Sequence, residues 1–533
     1  MDLFVYAQLF SVSIASRLPH ASEFGRYGEL NMKLHELLKG LFTDPGSKIP
    51  NYEITGITTD SSKVKPGFIF VAVKGEKVDG ADFILQAQQN GAAAVVRHKA
   101  LGFRLEEDTL SQAPSPKPQA ILVDNPRLAL AKIAAEFYGA QPKNMVAVTG
   151  TDGKTSTADF FRQLMFLAGE KSASVGTIGV ISGEGENLYP GTLTTPDPVS
   201  LASMLSQMKI SGIENVAMEA SSHGLAQYRL DGVRLKAAAF TNIARDHLDY
   251  HKTEEAYFTA KSRLFSELLP EGGTAVLNAD DKKFPELKKI CSGRGHKIIS
   301  FGKNGEQFSI NSIMPNQHGQ DVMLTLFGRK YEIKVPLFGE FQVMNILAAL
   351  GLACGIGADI EQLVANITKL KGVSGRLEQA VALKNGAVVF IDYAHTPLAL
   401  ANILNTLRPH TKNKLHVVFG CGGDRDHGKR PLMGKIAAEL ADNSLITDDN
   451  PRSENPASIR AAVMEGCAGK KSCKEVADRA QAIYLAIGQL QEGDVLVIAG
   501  KGHEKMQIIG DKSLPFDDAE VARDAARKQG VIE

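Results

Sequence analysis

The order of apolar runs and polar loops predicts an α/β protein of about three domains. Three observations carry that expectation. At 533 residues, 44% of them hydrophobic, the chain exceeds what one core accommodates and has ample material for several. Short β-rich apolar runs alternate with helical stretches, the pattern of a mostly parallel, doubly wound sheet. Several of those runs end in loops dense in polar residues, and open α/β sheets hold ligands at the carboxyl ends of their strands.

Residues 1–31 stand apart. The stretch from Met1 to His20 is mildly apolar, but its first basic residue is Arg17, whereas a secretory signal carries positive charge ahead of its apolar part. We expect a disordered extension, or a start codon placed too early, with the folded chain opening at Met32-Lys33-Leu34-His35-Glu36-Leu37-Leu38. A first domain, 32–140, holds three strands: Gly67-Phe68-Ile69-Phe70-Val71-Ala72-Val73, Ala93-Ala94-Val95-Val96 and Ala120-Ile121-Leu122-Val123. Residues 106–118 are polar, carry Pro and Ser, and read as a surface loop. A second domain, 141–373, opens with the strand Met145-Val146-Ala147-Val148 and continues with Val216-Ala217-Met218-Glu219 and Ala237-Ala238-Ala239-Phe240-Thr241. A third, 374–533, has strands at 387–391, 416–419 and 495–499.

Charge narrows the function. Lys plus Arg and Asp plus Glu both total 60, so the formal net charge is +0. That balance argues against non-specific nucleic-acid binding, which needs clustered positive charge, and leaves room for local basic pockets. The five cysteines are scattered, which suits a reducing compartment better than a disulfide framework or a zinc site. No apolar run approaches the roughly 18 residues of a membrane span. A cytoplasmic protein without a membrane partner is expected.

The sharpest motif is Gly150-Thr151-Asp152-Gly153-Lys154-Thr155, between a hydrophobic strand and a helix predicted over 156–167. Glycines let backbone N–H groups close round phosphate oxygens, and a helix N-terminus adds positive potential. Lys154 would reach terminal phosphates, and Thr155 would offer a hydroxyl to Mg²⁺. The full pattern asks for glycine where Val148 stands, so the loop is shortened, and a Gly-rich turn capping a helix is the plain alternative. Two further strands lead into Glu219-Ala220-Ser221-Ser222-His223-Gly224 and Asn242-Ile243-Ala244-Arg245-Asp246-His247-Leu248-Asp249. Hard oxygen ligands suit Mg²⁺, making Glu219 the first candidate protein ligand and His247 the second. Lys261, in Phe258-Thr259-Ala260-Lys261-Ser262-Arg263, reads on composition alone as an exposed helical lysine.

Residues 150–155, 219–224 and Asp246-His247-Leu248-Asp249-Tyr250-His251 together resemble the Mur ligases, over a span from about residue 32 to the C-terminus. The resemblance implies a UDP-binding N-terminal domain, a central P-loop ATPase-like domain on a parallel sheet, and a Rossmann-like C-terminal domain. It implies an ATP- and Mg²⁺-dependent amide synthesis in which the D-glutamate side-chain carboxylate of UDP-MurNAc-L-Ala-D-Glu is phosphorylated and an incoming amine displaces phosphate. Such a reaction serves peptidoglycan synthesis, and with it cell shape and division; a monomer is expected. Carried over by position, Gly150, Thr151, Asp152, Gly153, Lys154, Thr155 and Ser156 fall to ATP. Asn278 and Asp280 resemble the adenine and ribose contacts, Arg376 resembles an arginine that reaches ATP, and Asp392 belongs to another motif near the nucleotide. Ser61 falls to the uridine nucleotide, and Thr194, Thr195, Ser221, Gln227 and Arg229 to the muramyl peptide. Lys261 matches the family's carbamylated lysine. It thereby joins Thr155, Glu219 and His247 in the implied metal set, and Lys154, Glu219 and His247 in the catalytic one. Three positions depart from the usual spelling: Ser62 stands for Arg, Asp152 for Asn and Ser156 for Thr. The last two keep side chains able to bond locally.

Asp449-Asn450-Pro451-Arg452 matches the family signature that selects meso-diaminopimelate; standing alone it would be a polar turn. Arg425, Gly500 and Glu504 match further contacts. A Pro-fixed turn presenting Asn450 and Arg452 suits an amino-carboxylate end, with the guanidinium forked on the carboxylate. L-Lysine lacks that distal carboxylate and would leave Arg452 without its partner. A folylpolyglutamate synthase shares the phosphate loop and the amide chemistry, but is not expected to carry residues 449–452 or the Asp60-Ser61 pair. A nucleotide-dependent switch would need the phosphate loop and none of the loops at 422–425, 449–452 and 500–504.

Overall fold

Every predicted strand forms, and three larger sheets gather them in this computed structural model. The described residues are 31–39, 41, 51–75, 78–101, 118–191, 193–244, 246–316 and 318–532. The expected extension, apart from Asn31, and the expected 106–118 loop, apart from Pro118, lie outside them.

In the N-terminal sheet, Gly56–Thr58, Phe68–Val71, Ala94–His98 and Gln119–Val123 pair in that order, all parallel. Parallel strands are covered on both faces, which is why they read as apolar runs and not as alternation. The helix Pro126–Tyr138 packs on this sheet. Asn125 starts it, accepting the N–H groups of Arg127 and Leu128, with proline in the first turn. Its Ile133, Ala134 and Phe137 meet Leu34, Ile54, Val71 and Val96 in the core.

The middle sheet has eleven strands. Its centre runs Ser172–Gly176, Asn215–Glu219, Asn144–Thr149, Leu235–Phe240, Thr274–Asn278 and Lys297–Gly302, all parallel. Alternate residues serve opposite faces: Val146 and Val148 enter one core, Met145 and Ala147 the other. Further strands extend both edges: the antiparallel Gly179–Ser182 and Glu186–Pro190 on one side, and on the other the antiparallel meander Phe308–Asn316, Gly319–Leu326, Arg329–Val335, whose first strand joins the sheet in parallel. The sequence reading did not include these additions. Their signal is the two-residue period of Val322, Leu324 and Leu326, all buried.

The helix after Asn144–Thr149 is Lys154–Leu167, beginning two residues before the predicted Ser156. Gly153 is its N-cap at φ 85°, and a Cβ there would lie 2.3 Å from Asn345 Oδ1. Glycine lets the chain enter the helix inside the loop, so the first free N–H groups open at the loop mouth.

The C-terminal sheet orders Glu378–Ala382, Val388–Asp392, Val495–Ala499, Leu415–Phe419, Asn443–Ile446 and Cys473–Glu475. The first pairing is antiparallel and the others parallel, so the loops after residues 392, 419, 446 and 499 leave the same edge of the sheet. Among the described residues, no helix is long and apolar enough to cross a membrane.

Candidate active site

A cavity of about 830 Å³ opens where the middle domain faces the C-terminal domain. Thr151, Asp152, Gly153, Lys154, Thr155 and Ser156 line one side, with Thr177, Thr194, Glu219 and Asn278; Arg376, Asp392, Asn402 and Thr406 line the other. Lys154 Nζ donates to the carbonyls of Gly150 (2.9 Å) and Thr151 (2.7 Å). Asn242 ties the loop to the neighbouring strand end, accepting the N–H of Thr151 on its carbonyl (2.9 Å) and that of Asp152 on Oδ1 (3.0 Å).

Glu219 ends its strand 1% exposed, accepting the N–H of Thr177 on Oε1 (2.8 Å) and the Thr177 hydroxyl on Oε2 (3.3 Å). Burial pushes its pKa up, and the Lys154 ammonium opposes that. Burial likewise pushes Lys154 down, with Glu219 as the largest opposing charge. Each charge therefore opposes the neutralisation that burial favours in the other. Asn278 donates its amide to Thr241 O (2.6 Å) at the cavity wall. Asp280 is not part of that wall; its carboxylate accepts the N–H groups of Lys303 (2.7 Å) and Asn304 (2.8 Å). Asp392 accepts the N–H groups of Leu377 and Ala394, each at 2.8 Å, and burial raises its pKa.

Lys261 corrects the exposed-lysine expectation, for it is 1% exposed. The reason is tertiary. The helix Glu254–Arg263 turns Tyr257, Phe258, Lys261 and Ser262 inward. Lys261 Nζ donates to Gly150 O at 2.6 Å and lies 4.5 Å from the centre of the Tyr257 ring. Burial first, and the Lys154 charge second, lower its pKa to about 6. Both effects favour the unprotonated, nucleophilic form of this amine. His247, at φ 51°, does not line the cavity; its Nε2 lies 3.4 Å from Asp246, and its ring centre is 4.9 Å from that of His223.

Thr195, Ser221, Gln227 and Arg229 form one network. Thr195, fully buried, donates to Glu219 O (2.8 Å) and accepts the Ser221 N–H (3.0 Å). Arg229 donates through Nη1 to Thr195 O and through Nη2 to Gln227 Oε1, both at 2.7 Å. Thr194 Oγ1 lies 3.1 Å from Thr177 Oγ1. Ser61 belongs to the N-terminal domain, buried and donating to Gln86 Oε1 (2.7 Å), while the Ser62 hydroxyl donates to Asp60 Oδ1 (2.7 Å).

In the C-terminal domain Asn450, 3% exposed, cross-links two loops. Its Nδ2 donates to Glu504 Oε2 (2.9 Å), and its Oδ1 accepts from Lys501 Nζ (3.2 Å) and the Ile508 N–H (3.0 Å). Gln507 Nε2 donates to Asp449 O (2.8 Å). After Pro451, Arg452 sits at φ 50° and its Nη1 donates to Gly423 O (2.8 Å), in the loop that carries the exposed Arg425. The Gly500 N–H donates to Asp392 O (3.1 Å).

Three family profiles match the chain in order. They are the Mur ligase family, catalytic domain, over 53–138; the Mur ligase middle domain, over 148–353; and the Mur ligase, glutamate ligase domain, over 375–502. The chain belongs to the Mur ligase family. The UDP-N-acetylmuramoyl-L-alanyl-D-glutamate–2,6-diaminopimelate ligase of Mesorhizobium japonicum is 46% identical to this Mur ligase over 500 residues, 94% of this chain and 100% of the relative. The Rhizobium meliloti ligase of the same name is 47% identical over 497 residues, 92% of this chain and 99% of its own. A solved structure of a ligase of that name superposes with a TM-score of 0.71 at 32% identity, covering 94% of this chain and 99% of its own.

Sequence reasoning missed three residues of this Mur ligase. Thr177, which satisfies Glu219 twice, carries no sequence signal. Lys501, 0% exposed, stood inside a motif singled out for its neighbours. Asn345, beside Gly153, is a buried polar residue in the mostly apolar helix Glu340–Gly355, as is Gln342, and that contrast is a usable signal. As for metal, Thr155 and Glu219 give hard oxygens on the side of the cavity lined by residues 151–156. No group of three or more His, Cys, Asp or Glu side chains placed to hold a metal occurs among the described residues. That donor set fits Mg²⁺, which takes one or two carboxylates plus substrate phosphates in place of a closed protein cage.

Proposed function

We propose that this Mur ligase is a cytoplasmic, monomeric enzyme of peptidoglycan precursor synthesis. It uses ATP to join meso-diaminopimelate to the D-glutamate side-chain carboxylate of UDP-MurNAc-L-Ala-D-Glu. The observation that carries the reading is the cavity whose two sides are the phosphate loop with Glu219 and the Arg376–Asp392 edge of the C-terminal sheet. The Mesorhizobium and Rhizobium relatives support the choice of substrates.

A carboxylate is a poor electrophile. Attack of its oxygen on the γ-phosphorus of ATP forms one P–O bond and breaks another, releasing ADP and leaving an acyl phosphate. The diaminopimelate nitrogen then attacks the acyl carbon and sheds a proton, and phosphate leaves with the C–O electron pair. Anionic partners must meet in both steps, so the chain mainly positions them and offsets charge, through Lys154 and the N-terminus of helix Lys154–Leu167. Thr155 and Glu219 would hold Mg²⁺, with His247 and a carbamate of Lys261 completing the set, and the metal would neutralise phosphate charge. The neutral amine of Lys261 is the form that adds to CO₂. Asn278, Asp280 and Arg376 take the nucleotide, Ser61 the uridine part, and Thr194, Thr195, Ser221, Gln227 and Arg229 the peptide. Arg452 and Glu504 complement the distal carboxylate and ammonium of diaminopimelate, with Arg425, Asp449, Asn450, Pro451 and Gly500 completing that site.

Phosphate release with ATP, Mg²⁺ and UDP-MurNAc-L-Ala-D-Glu, with meso-diaminopimelate and L-lysine in parallel, tests this. Turnover with diaminopimelate alone is expected. Turnover with lysine alone keeps the ligase and removes the reading of residues 449–452; turnover with neither removes both.

A further inference from the structure

Beneath the loops just given to the diamino acid lies an ion pair that the proposed function leaves unused. The side chains of Arg479 and Asp518 are both 0% exposed. The guanidinium is forked on the carboxylate, Nε to Oδ1 and Nη2 to Oδ2, each at 2.7 Å. Arg479 opens the helix Arg479–Gly488, and Asp518 opens Asp518–Lys528. A cation in a first turn opposes the helix dipole, and the first helix is already capped by Asp478. Burying such a pair also costs desolvation that apolar side chains of similar volume would avoid. Neither helix stability nor core filling accounts for Arg479.

Its remaining contacts do. Nη2 donates to Ala499 O (3.0 Å) and Nη1 to Asp448 O (3.4 Å). These carbonyls stand immediately before Gly500 and Asp449, at the roots of the two loops that Asn450 and Glu504 join higher up. The strands leading to them, Val495–Ala499 and Asn443–Ile446, are separated in the sheet by Leu415–Phe419, so no backbone ladder links them directly. Arg479 spans that gap. Asp448 is held from its other side as well, its carboxylate ion-paired with Arg460, which also donates to Glu475 Oε1 (2.8 Å). A planar guanidinium serves these acceptors at fixed angles, which an ammonium on a flexible stem cannot do.

We propose that Arg479, anchored by Asp518, is a positioning residue that sets the spacing between loops 449–452 and 500–504, and thereby the fit of the diamino acid's distal end between Arg452 and Glu504. This rests on the function proposed above. The pair touches no substrate; it acts through the two loop roots.

The test compares the wild type with R479M/D518L and with Arg479→Lys, by thermal melting and by steady-state kinetics varying each substrate in turn. The double variant strands no charge, so its Tm is expected to stay close to that of the wild type. Its kcat/KM for diaminopimelate is expected to fall on the order of 10- to 100-fold. KM for ATP and for the UDP-linked substrate should stay put, and preference over L-lysine should narrow. Arg479→Lys keeps a charge beside Asp518 and is expected to show the same split if the double variant does not fold. A folded variant with unchanged diaminopimelate kinetics overturns the proposal, as does a parallel loss across all three substrates. Wild-type turnover without diaminopimelate preference would instead refute the function on which the proposal rests.

Discussion

The two sides of the cleft are built differently. The middle-domain side centres on one contiguous stretch, residues 150–156, whose lysine bonds carbonyls of its own loop. The C-terminal loops near 423, 450 and 504 meet through contacts long in sequence, among them Arg452 to Gly423 O and Asn450 to Glu504. The difference teaches where each kind of change acts. A cradle encoded in a short stretch is altered by changing that stretch. A site assembled from separate loops also depends on anchors below it, such as Lys501 and Arg479, and its selectivity is adjustable without touching the phosphate chemistry.

The harshest trial of this contrast is Lys154→Ala. We expect kcat to fall on the order of 10²- to 10³-fold with whichever amino acid is supplied, because a charge-offsetting donor is lost from the phosphate side. Steady-state phosphate release measures it, and a loss confined to diaminopimelate would show that the two sides do not divide the work. Arg452→Lys is expected to act more narrowly. Its ammonium cannot fork on a carboxylate, so the kcat/KM ratio for diaminopimelate over L-lysine should drop roughly tenfold while KM for ATP holds. An unchanged ratio takes Arg452 out of the site.

The smallest effect is on stability. Lys261 releases its proton near pH 6 in the folded chain and near the ordinary 10.5 when unfolded. Between those values the unfolded state binds more protons, so the contribution of Lys261 to stability rises with pH across the window and is flat below about 6. Lys261→Met should flatten that rise, which melts taken from about pH 6 to pH 9 would reveal. Identical slopes in both proteins would mean that Lys261 does not titrate as a desolvated free amine.

Much of the architecture was legible because parallel strands are covered on both faces, and an apolar run such as Val495–Ala499 announces itself. The meander over residues 308–335 was not, since its half-exposed strands alternate and demand a count of period, not of hydrophobicity. The helix boundary at Lys154 slipped because the capping residue is a glycine in the left-handed region and not a side-chain cap.

By itself the sequence determined what is local: the strand runs, the phosphate loop with its lysine and hydroxyls, and the separate polar loops of the C-terminal domain. Only the tertiary structure decided the state of Lys261, because desolvation is the work of neighbours, and its bond partner Gly150 is 111 positions away. The same holds for the buried pair of Arg479 and Asp518, 39 positions apart, which no spacing in the sequence marks as partners. Local propensity and spacing are written into short stretches of chain, whereas burial and charge pairing exist only once distant stretches have been brought together.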